Sequence, residues 1–266
     1  MIYSRSNDEH AVSEAIGFLL IFTIVIVGIG LVTLYGYPIL IEQQVNADEK
    51  IMEKNMIVLQ NDVKSLAYKT VPYKETSLKI GGGALTVYNA SSTPAVSTID
   101  ITDCAGTQYV SGFQSGDLRY SSGGAGTDIS LQNGAVVMRS HFQTGSVMLA
   151  EPRWFYDART NTVVINLIAF NSTEIMARTG IGTVQMAMGE TNYTYVSLAP
   201  GNSVCLEYTP DPTTEGQNYL TAWDYYFRDS MKMTPTATVN EYAFPTDVAN
   251  PATLVIKKYD VIIRSI

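Results

Sequence analysis

The sequence predicts an α+β protein with a long N-terminal helix, first apolar and then amphipathic, and a mainly antiparallel, β-sandwich-like head with one short helix. No charged side chain occurs between Glu14 and Glu42. Apolar residues from 45 to 66 then recur at helical spacing. From about Thr70 onward, apolar residues alternate with polar ones between glycine-rich stretches, as in strands and turns. The predicted segments are a leader (1–10), a helix (11–69) and a head (70–266).

The composition is that of a folded protein and argues against a nucleic-acid partner. Of 266 residues, 46% are hydrophobic and 16% are charged, so general disorder is not expected. The formal net charge of −8 repels the phosphate backbone. We therefore expect no nucleic acid among the partners.

The uncharged segment is long enough to cross a bilayer. As a helix rising about 1.5 Å per residue, residues 15–35 match a hydrocarbon layer of about 30 Å. Three interpretations compete: a secretory signal peptide, a retained membrane anchor, and a helix released when a peptidase cuts in front of it. The signal peptide is disfavoured because the leader carries Asp8 and Glu9 beside Arg5, and because the apolar run is too long.

The helical pattern continues beyond the apolar segment. Spacings of three, four and seven residues are typical of an amphipathic helix that packs on one side. The apolar stripe consists of Val45, Met52, Met56, Leu59, Val63 and Leu66. Pro38 lacks a backbone N–H and is expected to kink the helix. We predict one helix from Ala11 to about Lys69.

The front of this helix carries a resemblance to a known family. The string DEHAVSEAIGFLL, at residues 8–20, resembles the amino-terminal signature of archaeal type IV pilins and their archaellin relatives. In that family, a short charged leader precedes Ala-Val-Ser-x-x-Ile-Gly and an apolar helix, and a membrane-embedded prepilin peptidase cuts between leader and helix. The resemblance implies cleavage between His10 and Ala11, with a cut before His10 as the alternative.

The resemblance also implies a function and a location. The precursor would lie in the cell membrane, and the mature subunit would join an extracellular surface filament, with its head outside and used for adhesion or surface contact. Its partners would be copies of itself or related pilins, a prepilin peptidase-like protease, and the membrane during biogenesis. The alternative is a single-pass, membrane-anchored extracellular binding protein that keeps its leader and does not polymerise.

Glu14 is the expected assembly residue. A carboxylate that enters hydrocarbon costs several kcal/mol and needs a cation. The new amino group of Ala11 and the positive end of the helix, in the same chain or in a neighbour, can provide one. The alternative is an ordinary first-turn carboxylate in the headgroup region, with Ser13 as the helix cap. Gly17 and the glycines at 28 and 30 allow close helix packing, although glycine is also common in membrane helices.

Several local patterns predict the strands of the head. An Asn-Gly turn at 133–134 predicts a hairpin of 128–132 with 135–138. Residues 154–156 are expected to pair with 162–170, and residues 182–188 with 193–198. The last strand, 253–266, changes its apolar parity between Ile256 and Tyr259, which predicts a bulge or burial on both sides.

One helix is predicted inside the head. Residues 214–217 have capping-box spacing, and apolar residues follow at helical intervals. These are Leu220, Trp223, Phe227 and Met231. The aromatic run 225–227 is expected to pack in the core, with a recognition surface as the alternative.

The cysteines and the glycosylation acceptors belong to the head. Cys104 and Cys205 either form a disulfide or remain as two buried thiols. N-x-Ser/Thr acceptors occur at Asn89, Asn171 and Asn192. If these acceptors are used, they imply export.

No catalytic motif is recognisable, and an enzyme is not expected. The sequence has no HExxH, GxSxG or phosphate-binding loop. Outside the leader, His141 is the only histidine, and a lone histidine is more often structural than catalytic. No cysteine or EF-hand spacing indicates a metal, so no metal or cofactor is expected. An exported hydrolase on a stalk remains the third alternative.

Overall fold

The computed structural model describes residues 6–69, 71–91, 97–210, 218–247 and 249–266, and side chains from Glu14 onward. Three helical segments follow one another without a break: α1 (Ser6–Leu31), a π-helical turn (Val32–Gly36) and α2 (Tyr37–Lys69). The chain forms two compact units, Met1–Ala47 and Asp48–Ile266. The unit boundary therefore lies within α2, whereas the predicted head begins at residue 70.

Pro38 explains the π-helical turn. A proline ring removes one N–H and clashes with the carbonyl four residues earlier, here that of Leu34. The N–H of Tyr37 donates to the carbonyl of Val32, five residues back. The expected disturbance at Pro38 thus takes the form of a π turn in a helix that continues on both sides.

The described residues contain fourteen strands. They are β1 (Tyr73–Tyr88), β2 (Thr98–Thr102), β3 (Gln108–Gln114), β4 (Asp117–Ser122), β5 (Thr127–Gln132), β6 (Ala135–Ser140), β7 (Ser146–Ala150), β8 (Phe155–Asp157), β9 (Thr162–Ser172), β10 (Ala177–Ser197), β11 (Cys205–Thr209), β12 (Thr234–Pro235), β13 (Glu241–Ala243) and β14 (Thr253–Ser265). A nine-stranded sheet has the order β7-β6-β5-β4-β1-β10-β14-β9-β8, and a five-stranded sheet has the order β12-β13-β11-β2-β3. Among these strands, only β9 and β14 pair in parallel. The predicted α+β fold is confirmed.

The second half of α2 covers one face of the nine-stranded sheet. The predicted apolar stripe supplies this contact from Met52 to Leu66, and each of its side chains there is buried against strand residues such as Leu85 and Leu118. Val45 is only half-buried. Because a buried side chain of this size contributes about 1.5–3 kcal/mol, this contact is what holds α2 in the head.

The opposite face of the nine-stranded sheet packs against the smaller sheet and a short helix. Ile101 and Leu206 from the smaller sheet share a core with Ile165 and Leu254 from the larger one. The head is therefore built in layers, with helix α2, the larger sheet and the smaller sheet stacked in that order.

β14 changes its buried face along its length. Leu254 and Ile256 lie in the core shared with the smaller sheet, whereas Tyr259, Val261 and Ile263 lie in the core under α2. The pairing of β14 with β9 keeps its register throughout. The parity change in the sequence therefore reflects a strand that buries opposite faces at its two ends, which was one of the two predicted explanations.

Two of the predicted strand pairs are confirmed. β5 and β6 pair across the turn at Asn133 and Gly134, whose φ angles are 47° and 74°. These positive angles are those that an Asn-Gly hairpin turn requires. β8 pairs with β9 as expected.

The third predicted pair is wrong, because residues 182–188 and 193–198 do not form a hairpin. They belong to β10, which runs as one strand from Ala177 to Ser197. Gly189 and Glu190 form a bulge instead of a turn, since Met188 pairs with Val261 and Thr191 with Tyr259. A Cβ at Gly189 would lie 2.9 Å from a carboxylate oxygen of Asp260. Glycine permits this close approach of the two strands.

The predicted helix of the head is α3 (Leu220–Tyr225), followed by a π-helical turn (Tyr226–Ser230). The capping-box residues 214–217 lie outside the described residues. Trp223, Tyr226 and Phe227 are buried beside Trp154, whereas Tyr225 is exposed. Core packing therefore accounts for most of this aromatic cluster.

Candidate functional site

The large hydrophobic side chains in the apolar half of the N-terminal helix are exposed. Every large hydrophobic side chain from Ile16 to Ile41 is exposed, between 42% at Ile41 and 72% at Phe18. Of the described helices, one is long and apolar enough to cross a membrane, and none of its most apolar stretch is buried. A continuous apolar surface of this size indicates an interaction with lipid or with other proteins.

The polar groups inside this apolar stretch are satisfied by the helix itself. The hydroxyl of Thr23 donates to the carbonyl of Leu19 at 2.7 Å, and that of Thr33 donates to the carbonyl of Ile29 at 2.9 Å. Hydrocarbon offers no hydrogen-bond partner, so a helix within it needs such internal bonds. The helix thus fits a membrane span or a signal anchor.

The predicted cleavage and assembly residues lie at the start of α1. His10, Ala11 and Ser13 are helical, but their side chains are outside the described residues. Glu14 is exposed. Apart from the adjacent residues and the nearby helix backbone, a Cβ at Gly17 would meet no described atom within 4 Å, and the same holds at Gly28 and Gly30. The chain itself therefore leaves room for another helix at these glycines.

Polar contacts fix α2 against β1 where the helix joins the head. Asp48 is buried and lies directly against Gly81, where a Cβ would collide with its carboxylate. Lys79 approaches Asp48 at 3.6 Å. About two turns further along the helix, the side-chain amide of Asn55 donates to the carbonyl of Lys79 at 3.1 Å. The sequence analysis missed Asp48, although the glycine triplet at 81–83 was a signal of close backbone approach.

Further along α2, Asp62 and Gln60 continue this set of contacts. Asp62 accepts a hydrogen bond from the hydroxyl of Thr76 and lies 3.4 Å from the ammonium group of Lys74. The buried amide of Gln60 donates to two main-chain carbonyls. These contacts set the rotation and the register of α2 on the sheet.

Cys104 and Cys205 form a disulfide with a Cα–Cα distance of 5.0 Å. The bond ties the turn between β2 and β3 to the start of β11. All three strands belong to the five-stranded sheet. The covalent link therefore strengthens the layer that lies farthest from α2.

The three glycosylation acceptors differ in accessibility. The amide nitrogen of Asn89 donates to the carbonyl of Ser172 at 3.1 Å, and that of Asn171 donates to Asp260 at 2.5 Å. Asn192 is exposed on β10. Because glycosylation modifies the amide nitrogen, Asn192 is the acceptor whose geometry suits modification.

His141 contacts Asp128 at the surface. Its Nε2 is 2.7 Å from Oδ2 of Asp128, which is buried, while the imidazole is half-exposed. Within the described residues, no group of three or more His, Cys, Asp or Glu side chains could hold a metal ion. The pair is a hydrogen bond between an imidazole and a carboxylate.

A cleft that the sequence did not indicate lies along one side of α3. It is lined by residues of α3, β13 and the segment before β13, including Asp224, Arg228 and Glu241. These residues are far apart in sequence, so no local motif connects them.

Helix and head together define a class of protein: a chain with one uncovered apolar helix at its N-terminus and a layered, β-rich body. This chain belongs to DUF7289, a family of unknown function whose model matches residues 10–261. The match covers both the helix and the head. No curated protein and no solved structure matches the chain.

Proposed function

We propose that the protein is a structural subunit of an archaeal type IV pilus-like surface filament. The N-terminal helix assembles with copies of itself or of related pilins, and the head remains exposed for adhesion or surface contact. A prepilin peptidase-like protease removes residues 1–10, and the membrane holds the precursor before assembly.

One observation carries this proposal: a single continuous helix is uncovered in its first half and packed against a sheet in its second half. The apolar side chains from Ile16 to Ile41 are exposed, whereas those from Met52 to Leu66 are buried. A subunit that first resides in lipid and then contributes its helix to a filament core needs this division. The resemblance of residues 8–20 to pilin precursors supports the same conclusion.

A single-pass anchored surface protein is the second candidate. The self-satisfied hydroxyls of Thr23 and Thr33 suit a helix that stays in lipid permanently. In this case the leader remains on the chain, and the head acts alone as a binding domain.

Two measurements on native cells separate these functions. Mass spectrometry of the N-terminus is expected to find a chain that begins at Ala11. Immunogold electron microscopy with an antibody against the head is expected to label surface filaments, and these should disappear when the gene is deleted and return on complementation.

The opposite results support the anchored protein. An intact Met1 together with label confined to the cell envelope would refute assembly. A matched variant sharpens the test: blocking cleavage by replacing the residues on both sides of the cut should leave the precursor in the membrane and abolish the filaments.

A further inference from the structure

The cleft beside α3 has the features of a small-molecule binding site. Its volume is about 300 Å³, at the lower end of the range for ligand pockets. Leu220 and Pro235 provide apolar lining, and Asp224, Arg228 and Glu241 provide charged groups. The lining thus combines apolar groups with polar groups that can orient a small ligand.

The charged groups in this cleft are held in place before any ligand arrives. The Tyr242 hydroxyl donates to Oδ1 of Asp224 at 2.5 Å, and Nε of Arg228 donates to the same oxygen at 2.7 Å. The guanidinium carbon lies 6.0 Å from the centre of the Tyr242 ring. Burial and then the Asp224 carboxylate raise the pKa of Tyr242 to about 12, so its hydroxyl remains a donor at neutral pH. These two bonds use Oδ1 of Asp224, Nε of Arg228 and the hydroxyl of Tyr242.

This pair offers an acceptor and donors side by side. Adjacent hydroxyl groups of a sugar ring match such a pair, because one hydroxyl can donate to Oδ2 while its neighbour accepts from an Nη group. Leu220 and Pro235 can pack against the C–H groups of the ring. Asn240 and Thr238, which also line the cleft, add an amide and a hydroxyl.

The charge of the cleft selects among sugars. Asp224 and Glu241 are acidic and Arg228 is basic, so the lining carries a net charge of −1 at neutral pH. Uronic acids and sulfated sugars are repelled, whereas neutral sugars are not.

We propose that this cleft binds one or two rings of a neutral carbohydrate. The site requires only the folded head and is independent of whether the N-terminal helix assembles. It is accordingly present in the isolated, detergent-solubilised chain, in a membrane and in a filament.

The test uses the full chain in detergent micelles. Saturation-transfer NMR and isothermal titration calorimetry are recorded with glucose, galactose, mannose, N-acetylglucosamine and their disaccharides, and with glucuronic acid as an anionic probe. At least one neutral sugar is expected to bind, and glucuronic acid is not. Asp224→Asn and Arg228→Gln are each expected to weaken binding by about tenfold or more, because a charge-assisted hydrogen bond is lost.

Two further variants make the result decisive. Asp229→Asn removes the same charge from the next turn, where Asp229 lines a different cleft, and should leave binding unchanged. Thr238→Trp adds a bulky ring to the lining of the cleft, keeps Asp224 and Arg228 in the chain, and should abolish binding, with an unchanged melting temperature as proof of folding. The proposal is overturned if no neutral sugar binds, if glucuronic acid binds better, or if binding survives Thr238→Trp. Filament formation by these variants is recorded separately, because it tests assembly through the N-terminal helix and not sugar binding by the cleft.

Discussion

The side-chain amide of Gln60, buried in the middle of α2, donates a hydrogen bond to the carbonyl oxygen of Gly134 at 2.8 Å. The same nitrogen lies 2.9 Å from the carbonyl oxygen of Glu151. Gly134 belongs to the β5–β6 hairpin turn, and Glu151 follows β7. One polar residue on the buried side of α2 thus joins the helix to two separate strand connections.

Replacing Gln60 by Leu should therefore destabilise the head. The change leaves the Gly134 carbonyl buried without its donor, which costs about 1–3 kcal/mol. Urea unfolding, followed by the fluorescence of Trp154 and Trp223 in the core, measures this loss. Gln44→Leu is the control, because Gln44 is exposed on the same helix. Equal stability of the two variants would show that the Gln60 bonds contribute nothing.

Such a residue is hard to predict from sequence. Periodicity identifies the face of α2 that packs, and the stripe from Met52 to Leu66 was predicted correctly. In this pattern a glutamine beside Leu59 is expected to face solvent. Gln60 is buried instead because its partner lies in a hairpin turn 74 residues away, which no local pattern indicates. Local patterns likewise predicted the Asn133-Gly134 turn, whose φ angles are set by adjacent residues.

The wrong hairpin prediction and the missed cleft also reflect contacts between residues that are distant in sequence. The predicted pairing of residues 182–188 with 193–198 requires a turn between them, whereas Gly189 and Glu190 form a bulge there. The position of Asp260 on the neighbouring strand decides between a turn and a bulge. The α3 cleft also escaped prediction, since Asp224 and Glu241 meet only through the packing of α3 on the smaller sheet.

Removing the disulfide should lower the melting temperature of the head. Cys104 and Cys205 are separated by 101 residues. On the chain-entropy model, a loop of about this length gives a stabilisation of about 4 to 5 kcal/mol. Thermal unfolding of the Cys104→Ser/Cys205→Ser variant measures the loss. A reductant should shift the wild-type protein to the same value and leave the double variant unchanged. If the reductant shifts neither protein, the thiols are not paired in the native chain.

Glycosylation, if the host performs it, should select Asn192. Its side chain is exposed, whereas the amides of Asn89 and Asn171 are engaged within the fold. Glycopeptide mass spectrometry of the native protein tests this selectivity. Asn192→Gln should remove the glycan mass without a change in stability. Occupancy at Asn89 or Asn171 in the folded protein would contradict the prediction.

Helix packing in the proposed filament should depend on one face of α1. Gly17 and Gly28 are eleven residues apart, about three turns, and so lie on the same side of the helix. Gly30 lies about 200° further round. Apart from the adjacent residues and the nearby helix backbone, no atom of the described residues lies within 4 Å of a Cβ at any of the three positions. Gly17→Leu and Gly28→Leu should leave the head stable and block close helix approach.

Electron microscopy of surface filaments measures the effect of these glycine changes. Gly30→Leu is the matched control, because it adds the same side chain on another face. If all three variants assemble equally well, the helices do not meet at this face.

Neutralising Glu14 should impair assembly and leave the precursor intact. Glu14 is exposed at the start of the apolar stretch. In a filament core its charge needs a cation, for which the amino group of Ala11 in a neighbouring subunit is the proposed source. Glu14→Gln keeps the shape and removes this attraction, so the number of filaments should fall severalfold at an unchanged precursor level. Glu42→Gln, at the other end of the uncharged run, is the control. Normal filaments from Glu14→Gln would show that apolar packing alone sets the axial register between neighbouring subunits.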